Sequence, residues 1–231
     1  MNVLYLTHGW WGNAAGLAAG VAPVVDKLEA SGEVSPTIVV FATYYPDRSF
    51  ATDDYEEDYA LNRFFATTEI DTLIDTVESR YTTFARRDTS DQSLRASRRH
   101  RAFGGFSMGA TTTWDVFALR PQYFYGYMPM AGESWIGREE DADEERIGQL
   151  VTDGALRAGY GPSDFRILAS VGSEDPALWD MTPQLDELYQ DYPDLMTESS
   201  LQVWIDDGED HSMTSVCNQV AHNLPLLFPP A

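Results

Sequence analysis

Short apolar segments alternate with longer amphipathic segments along most of this 231-residue chain. The apolar segments are rich in Val, Ile and Leu and are bounded by turn-forming residues, which is typical of buried strands. Six strands are predicted, at Val3–Thr7, Thr37–Ala42, Ala102–Phe106, Tyr123–Met130, Phe165–Val171 and Leu201–Ile205. Apolar strands separated by helices indicate a mostly parallel sheet that is covered on both faces.

The amphipathic segments predict the helices. In the clearest of them, Glu69–Ala85, apolar residues recur at the spacing of one helical face. The others are predicted at Leu17–Ala30, Thr111–Leu119, Glu140–Ala158, Thr182–Tyr189 and Met213–Leu227. Because no repeat and no long linker divides the sequence, residues 1–231 are predicted to form a single α/β domain, a three-layer sandwich.

The third predicted strand ends in a Gly-x-Ser-x-Gly sequence at Gly105–Gly109, and a predicted helix follows at once. A serine on a sharp turn between a strand and a helix projects its hydroxyl above the edge of the sheet. The glycines on either side leave room for neighbouring backbone. Ser107 is therefore a candidate nucleophile, and the short pattern gains weight only if an acid and a histidine follow in suitable places.

Both partners follow at the ends of the last two predicted strands. Asp175 comes after the fifth strand and His211 after the sixth, which gives the Ser, Asp, His chain order of α/β-hydrolases. His211 is predicted to act as the general base, and Asp175 to orient its imidazole. Glu174 and Asp180 remain alternatives for the acid.

The other three histidines are weaker candidates for the base. His100 precedes the nucleophile strand, at the opposite edge of the sheet, and His222 lies within the last predicted helix. His8 follows the first strand and is predicted to shape the loop there. That loop is also expected to supply part of an oxyanion hole.

Preorganised N–H groups must face the oxyanion that forms during acyl transfer. The first donor is predicted to be the backbone N–H of Met108, directly after the nucleophile. The second is predicted to be the Trp10 N–H, with Gly9 as the alternative.

The formal net charge of the chain is -22, from 37 acidic and 15 basic residues, and Lys27 is the only lysine. Like charges repel, so neither nucleic acid nor an anionic membrane is predicted as a partner. No segment is long and apolar enough to span a membrane, and no signal peptide is visible. A cytoplasmic location is expected if the chain is complete, and secretion is possible for an excised domain. The single Cys217 excludes an intrachain disulfide and is predicted to be buried.

Acidic residues cluster at Asp53–Asp58, Glu139–Glu145 and Asp206–Asp210. The first two lack the ligand spacing of a calcium-binding loop and are predicted to be solvated helix starts. The second is also a candidate for a mobile lid. No metal and no cofactor is predicted.

Four segments carry a more specific signal: NVLYLTHGWWGN at the start, GGFSMGATTTWDVF with YFYGYMPMAGESW, then GSEDPALWDMTPQLDELY, and finally GEDHSM with NLPLLF. They resemble the feruloyl esterase branch of the esterase D-like enzymes, carbohydrate esterase family 1 of the α/β-hydrolase superfamily. The resemblance implies the α/β-hydrolase fold. It also places the catalytic triad on Ser107, Asp175 and His211, in agreement with the choice made from the strand ends.

The resemblance implies hydrolysis of hydroxycinnamate esters of plant cell-wall arabinoxylan through an acyl-enzyme. The substrate would be a small aromatic ester or a feruloylated oligosaccharide. Trp135 matches the family's Gly-x-x-Trp position beside the site, and Trp11 and Tyr44 are further predicted substrate contacts. Trp10 and Tyr45 also lie near predicted strand ends and are weaker candidates.

The chain departs from the family in two ways. Members usually have two more strands before the His-Gly loop, so about six strands are expected here rather than eight. Trp10 and Trp11 stand where the family often has glycine, which leaves the second oxyanion donor open. The alternatives are an acetyl xylan esterase, an S-formylglutathione hydrolase-like esterase, and a hydrolase-fold binding protein without activity. The oligomeric state is not predicted.

Overall fold

A six-stranded parallel sheet runs through the middle of a computed structural model that describes residues 1–55, 57–137 and 147–230. Its strands are β1 (Asn2–Thr7), β2 (Thr37–Ala42), β3 (Arg101–Phe106), β4 (Gly126–Met130), β5 (Arg166–Gly172) and β6 (Leu201–Asp206). Their order across the sheet is β2-β1-β3-β4-β5-β6, and all neighbours are parallel. The predicted number of strands and their parallel arrangement are confirmed.

Eight α-helices lie in the described ranges. They are α1 (Ala14–Ser31), α2 (Tyr59–Phe64), α3 (Ile70–Arg80), α4 (Asp91–Ala96), α5 (Met108–Leu119), α6 (Ile147–Arg157), α7 (Ala177–Asp191) and α8 (Met213–Leu227). A π-helical turn joins α2 to α3, and short 3-10 turns precede α2 and β3. None of the helices in these ranges is long and apolar enough to cross a membrane.

The side chains of β1 alternate between the two faces of the sheet. Leu4 and Leu6 pack with apolar residues of α1 and α8, whereas Val3 and Tyr5 pack with those of α3, α5, α6 and α7. Each face of the sheet is therefore covered by its own helical layer. The predicted three-layer sandwich is confirmed.

Several element boundaries differ from the predicted ones. Helix α7 begins at Ala177 rather than Thr182, and the Asp175 carboxylate accepts a hydrogen bond from the N–H of this first residue (2.9 Å). Helix α3 ends at Arg80, where Tyr81 turns extended, rather than at Ala85. Strand β4 is shorter at its start, since a turn precedes it. The predicted start of α6 lies outside the described residues.

A buried ion pair holds the amino edge of the sheet together. Arg101, the first residue of β3, pairs with Glu78 of α3, and each is only 1% exposed. The guanidinium also donates to the Tyr123 carbonyl at 2.6 Å. Further hydrogen bonds to the pair involve Leu94, Ser97, Thr83 and Tyr5. Buried charges need this degree of hydrogen bonding to offset their lost hydration.

The chain changes direction across the sheet between β1 and β3. It first moves outward from β1 to β2, then returns to place β3 on the other side of β1 and continues to β6. The loops that follow β1 and β3 therefore diverge, and open α/β sheets bind ligands in the crevice that this divergence leaves. Ser107 and the His8-Gly9 loop lie at this crevice.

Candidate active site

The turn between β3 and α5 holds Ser107 in a strained conformation. Its φ is 59° and its ψ is -121°, a region that non-glycine residues rarely occupy. The Ser107 N–H donates to the Met130 carbonyl of β4 (2.8 Å), and its own carbonyl accepts from the Ala110 N–H (2.7 Å). Bonds on both sides of the residue hold the turn in place, so the conformation persists despite its cost.

Glycines around this turn are required by close packing. A Cβ atom at Gly105 would overlap the backbone of Gly109 and the hydroxyl of Thr7. A Cβ atom at Gly109 would lie 2.7 Å from the Thr7 carbonyl oxygen, and one at Gly132 would lie 2.7 Å from the Ser107 carbonyl oxygen. The first two glycines let α5 approach β1, and the third lets the loop after β4 pass behind Ser107.

Asp175 and His211 meet at the ends of β5 and β6. The His211 Nδ1 lies 2.8 Å from Oδ2 and 3.0 Å from Oδ1 of Asp175, whose side chain is fully buried. The imidazole also packs on the ring of Phe106, with 4.4 Å between ring centroids. Since Nδ1–H donates to the carboxylate, Nε2 carries the lone pair that can accept a proton. Glu174 is exposed, and neither it nor Asp180 bonds to His211 within the described residues.

One cavity of about 620 Å³ brings Ser107, Asp175 and His211 together. The Ser107 hydroxyl forms no hydrogen bond with any described residue, and Ser107 and His211 both line this cavity. Contacts between a nucleophile and its base are often long before substrate binds and shorten in the complex. The arrangement is suited to nucleophilic attack assisted by a general base.

The backbone around the cavity offers two N–H groups without acceptors. Met108 is the first residue of α5, and neither its N–H nor that of Trp10 has an acceptor in the described part of the chain. Both residues line the cavity. Gly9 packs against the nucleophile, because a Cβ atom there would lie 3.0 Å from the Ser107 Cβ. Free donors at a helix N-terminus are what a developing oxyanion requires.

Aromatic rings form one wall of the cavity. Trp10 lies edge-on to Tyr55 with 5.8 Å between centroids, and Tyr55 lies 5.5 Å from Trp135. The Trp135 indole N–H donates to the carboxylate of Glu133, which also lines the cavity. Tyr55 is not predicted from the sequence, because the acidic segment around it resembles a solvated helix start.

Two of the predicted substrate contacts are placed elsewhere. Tyr44 is only 2% exposed, donates its hydroxyl to the His8 carbonyl at 2.7 Å and is not among the residues that line the cavity. Burial raises the pKa of Tyr44 well above its usual value. Trp11 is 40% exposed, lies outside the cavity and packs edge-on against Trp10. Tyr45 is also buried, with its hydroxyl on Asp58 at 2.5 Å.

The remaining histidines lie away from the cavity. His8 is buried and stacks near Tyr45, as expected of a residue that shapes the loop. His100 stacks on Phe84, with 3.4 Å between centroids, and burial lowers its pKa. His222 lies against β6, where burial again lowers the pKa. Thus His211 alone among the four lines the cavity.

No group of three or more His, Cys, Asp or Glu residues that could hold a metal ion occurs in the described ranges. Cys217 is half-buried rather than fully buried and contacts the Gly20 carbonyl. The predicted lid at Glu139–Glu145 lies outside the residues that the structure describes.

No protein-family model matches the sequence. The chain is 29% identical over 234 residues to endo-1,4-beta-xylanase Y of Acetivibrio thermocellus. The match covers 98% of this chain and 20% of that protein. It is 28% identical over 143 residues to an endo-1,4-beta-xylanase/feruloyl esterase of Xylanibacter ruminicola, with 59% of this chain and 17% of that protein covered. The chain therefore spans a fifth or less of the length of these curated relatives.

Solved structures give the same picture. A serine-to-alanine mutant of the feruloyl esterase module from Clostridium thermocellum, complexed with sinapinate, superposes with a TM-score of 0.79 at 27% identity. The match covers 98% of this chain and 77% of that chain. An S-formylglutathione hydrolase from Staphylococcus aureus, at 12% identity and a TM-score of 0.62, shares the fold alone.

These comparisons confirm two expectations from the sequence. The sheet, its helical layers and the structural neighbours identify the fold as that of the α/β-hydrolases. The resemblance to feruloyl esterases extends over nearly the whole chain and includes the strands and loops that carry Ser107, Asp175 and His211. The close relatives of this chain are feruloyl esterase modules.

Proposed function

We propose that this protein is a serine carboxylic-ester hydrolase, a feruloyl esterase that releases hydroxycinnamic acids from plant cell-wall polysaccharide. The observation that carries the proposal is the catalytic cavity: a strained Ser107 shares it with the bonded pair Asp175 and His211 and with a wall of aromatic rings. The similarity of the chain to a feruloyl esterase module over 98% of its length supports the choice of substrate.

In the proposed reaction, His211 Nε2 takes the Ser107 proton while Oγ attacks the ester carbonyl carbon. The carbonyl oxygen becomes an oxyanion that accepts hydrogen bonds from the N–H groups of Met108 and Trp10. Asp175 stabilises the imidazolium. The C–O bond to the alcohol then breaks, and His211 gives the proton to the departing alkoxide oxygen. Water repeats the sequence on the acyl-enzyme and releases the free acid.

The aromatic wall favours a planar acyl group. Trp10, Tyr55 and Trp135 offer ring faces and edges within one cavity, and offset stacking contributes about 0.5 to 1.5 kcal/mol beyond the burial of area. An acetyl group is too small to cover these rings. The wall therefore favours a hydroxycinnamate over an acetate ester.

Charge around the cavity favours a neutral substrate. The carboxylates of Glu133 and Asp180 line it, and the chain as a whole has a formal charge of -22. A glutathione thioester carries free carboxylates and would be repelled. A feruloylated sugar is uncharged, so it meets no such barrier.

The test compares hydrolysis of methyl ferulate with that of p-nitrophenyl acetate by the wild type, Ser107→Ala and Ser31→Ala. Methyl ferulate should be turned over by the wild type and by Ser31→Ala, an exposed serine at the end of α1, but not by Ser107→Ala. A fluorophosphonate probe should label the same two proteins. Turnover of the acetate without the ferulate would favour an acetyl esterase, and a wild type without labelling would favour a binding protein.

A further inference from the structure

We propose that a second cleft, next to the catalytic cavity, binds the sugar chain on the alcohol side of the ester, with Trp179 as its stacking surface. This inference rests on the proposed function and extends it from the acid half of the substrate to the carbohydrate half. Neither the triad nor the aromatic wall uses Trp179.

The cleft has a volume of about 410 Å³ and lies next to the catalytic cavity. Glu133, Trp135 and Asp180 line both of them, so the two are direct neighbours. A ligand with its ester at Ser107 and a long alcohol group can therefore reach the cleft. The residues on which the proposal relies are Glu133, Trp179, Asp180, Gln184 and Glu187.

Helix α7 follows the triad acid and leads from it to the cleft. His211 gives its proton to the alcohol oxygen, and the carboxylate that holds His211 belongs to Asp175, two residues before α7. Helix α7 then lines the cleft from Trp179 to Glu187. At about 1.5 Å per residue this stretch measures about 12 Å, which suits a short oligosaccharide rather than a single sugar.

Trp179 is 79% exposed, more than any other large apolar side chain in the described ranges. Tryptophan is usually well buried, whereas this indole lines a cleft with most of its surface open to a ligand. An indole offers a flat apolar face, and one face of a sugar ring presents its C–H groups. Stacking of the two removes apolar area from water while the sugar hydroxyls stay free to form hydrogen bonds.

The polar groups in the cleft match a neutral polyol. Carboxylates accept hydrogen bonds and do not donate them, and hydroxyl groups are good donors to such acceptors. The Asp180 carboxylate is exposed and forms no hydrogen bond with another described residue. Glu187 accepts from the Gly148 N–H at 3.0 Å and keeps further acceptor capacity. An anionic ligand would be repelled here, whereas an uncharged pentose chain would not.

The experiment compares Trp179→Ala with the wild type on two esters of the same acid, methyl ferulate and a feruloylated arabinoxylo-oligosaccharide. Tyr81→Ala is the matched control, because Tyr81 is 55% exposed at the end of α3, by the amino edge of the sheet. Loss of the stacking surface should lower kcat/KM for the oligosaccharide about three- to tenfold more than for methyl ferulate. Tyr81→Ala should leave kcat/KM for both esters unchanged.

A binding measurement separates this inference from the proposed function. Ester-free arabinoxylo-oligosaccharide, titrated into the wild type by calorimetry, should bind, and Trp179→Ala should bind it about three- to tenfold more weakly. Equal losses of kcat/KM on both esters, or an oligosaccharide that does not bind the wild type, would overturn the sugar cleft. Failure to hydrolyse methyl ferulate, with sugar binding intact, would overturn the esterase alone.

Discussion

The two ends of strand β3 are built on opposite principles. At its first residue, Arg101 is buried, paired with Glu78 and supplied with further hydrogen-bond acceptors. Just past its last residue, Ser107 is held at a φ of 59°, and neither its hydroxyl nor the N–H groups of Met108 and Trp10 bond to another described residue. Only the five remaining residues of the strand lie between them.

The difference shows where stability and reactivity lie in this fold. A buried ion pair fixes the amino edge, because breaking it would leave an uncompensated charge in the core. The carboxyl edge carries backbone strain and unsatisfied donors, which are the usual features of a site prepared for a transition state. Changes at the first edge should therefore act on folding, and changes at the second on turnover.

The largest expected effect comes from Asp175→Asn. Its amide can no longer fix the imidazole in the tautomer that leaves Nε2 free, so kcat for methyl ferulate should fall by about 10⁴-fold. The free energy of unfolding should change little by comparison. Glu174→Gln is the matched control, since Glu174 is exposed and adjacent in sequence. Steady-state kinetics of the two variants decide the acid, and an equal loss in Glu174→Gln would contradict the assignment.

The next largest effect is a loss of stability at the amino edge of the sheet. Arg101→Met leaves Glu78 charged and buried, so the free energy of unfolding should fall by about 3 to 5 kcal/mol. In the folded fraction, kcat should stay close to that of the wild type, because the side chain is at the far end of β3 from Ser107. Urea denaturation with activity measured alongside gives both values.

Arg95→Met serves as the control for this change. Its pair with Asp91 is exposed at both ends, where solvent screens the two charges, so the free energy of unfolding should fall far less than in Arg101→Met. Similar losses in the free energy of unfolding for the two substitutions would show that the buried ion pair contributes no more to stability than the exposed one.

The smallest effect is a gain in stability at the catalytic edge. Glycine tolerates the backbone angles of residue 107, so Ser107→Gly should be more stable than Ser107→Ala by about 1 kcal/mol, although both lack activity. Alanine keeps the Cβ atom and therefore the strain. Thermal unfolding of the two inactive variants measures the cost of the backbone strain at residue 107, and identical melting temperatures would mean that the turn carries no strain.

Much of the fold follows from the sequence because the central strands are buried on both sides. Segments such as Ala102–Phe106 contain no polar side chain, and six short apolar segments separated by helices permit few arrangements other than a parallel sheet. The site residues Ser107, Asp175 and His211 were predicted because strand ends of a parallel sheet meet at one edge. The structure brings all three to one cavity.

What the sequence could not supply depends on contacts between distant segments. Tyr44 and Tyr55 both lie in the segment between β2 and α2. Tyr44 is buried and donates to the His8 carbonyl, whereas Tyr55 lines the cavity. No local pattern distinguishes them. The ion pair of Glu78 and Arg101 likewise joins a helix to a strand 23 residues later, and the hydrophobic periodicity of neither segment predicts it.

The direction of α1 has a practical consequence for attaching the protein to a surface. The helix returns from the carboxyl ends of the strands to their amino ends, so its last turns lie at the edge opposite Ser107. Lys27, the only lysine of the 231 residues, is exposed in this part of α1. Coupling through that side chain would therefore anchor the molecule by the edge opposite Ser107, with the catalytic cavity turned away from the support and open to polymeric substrate.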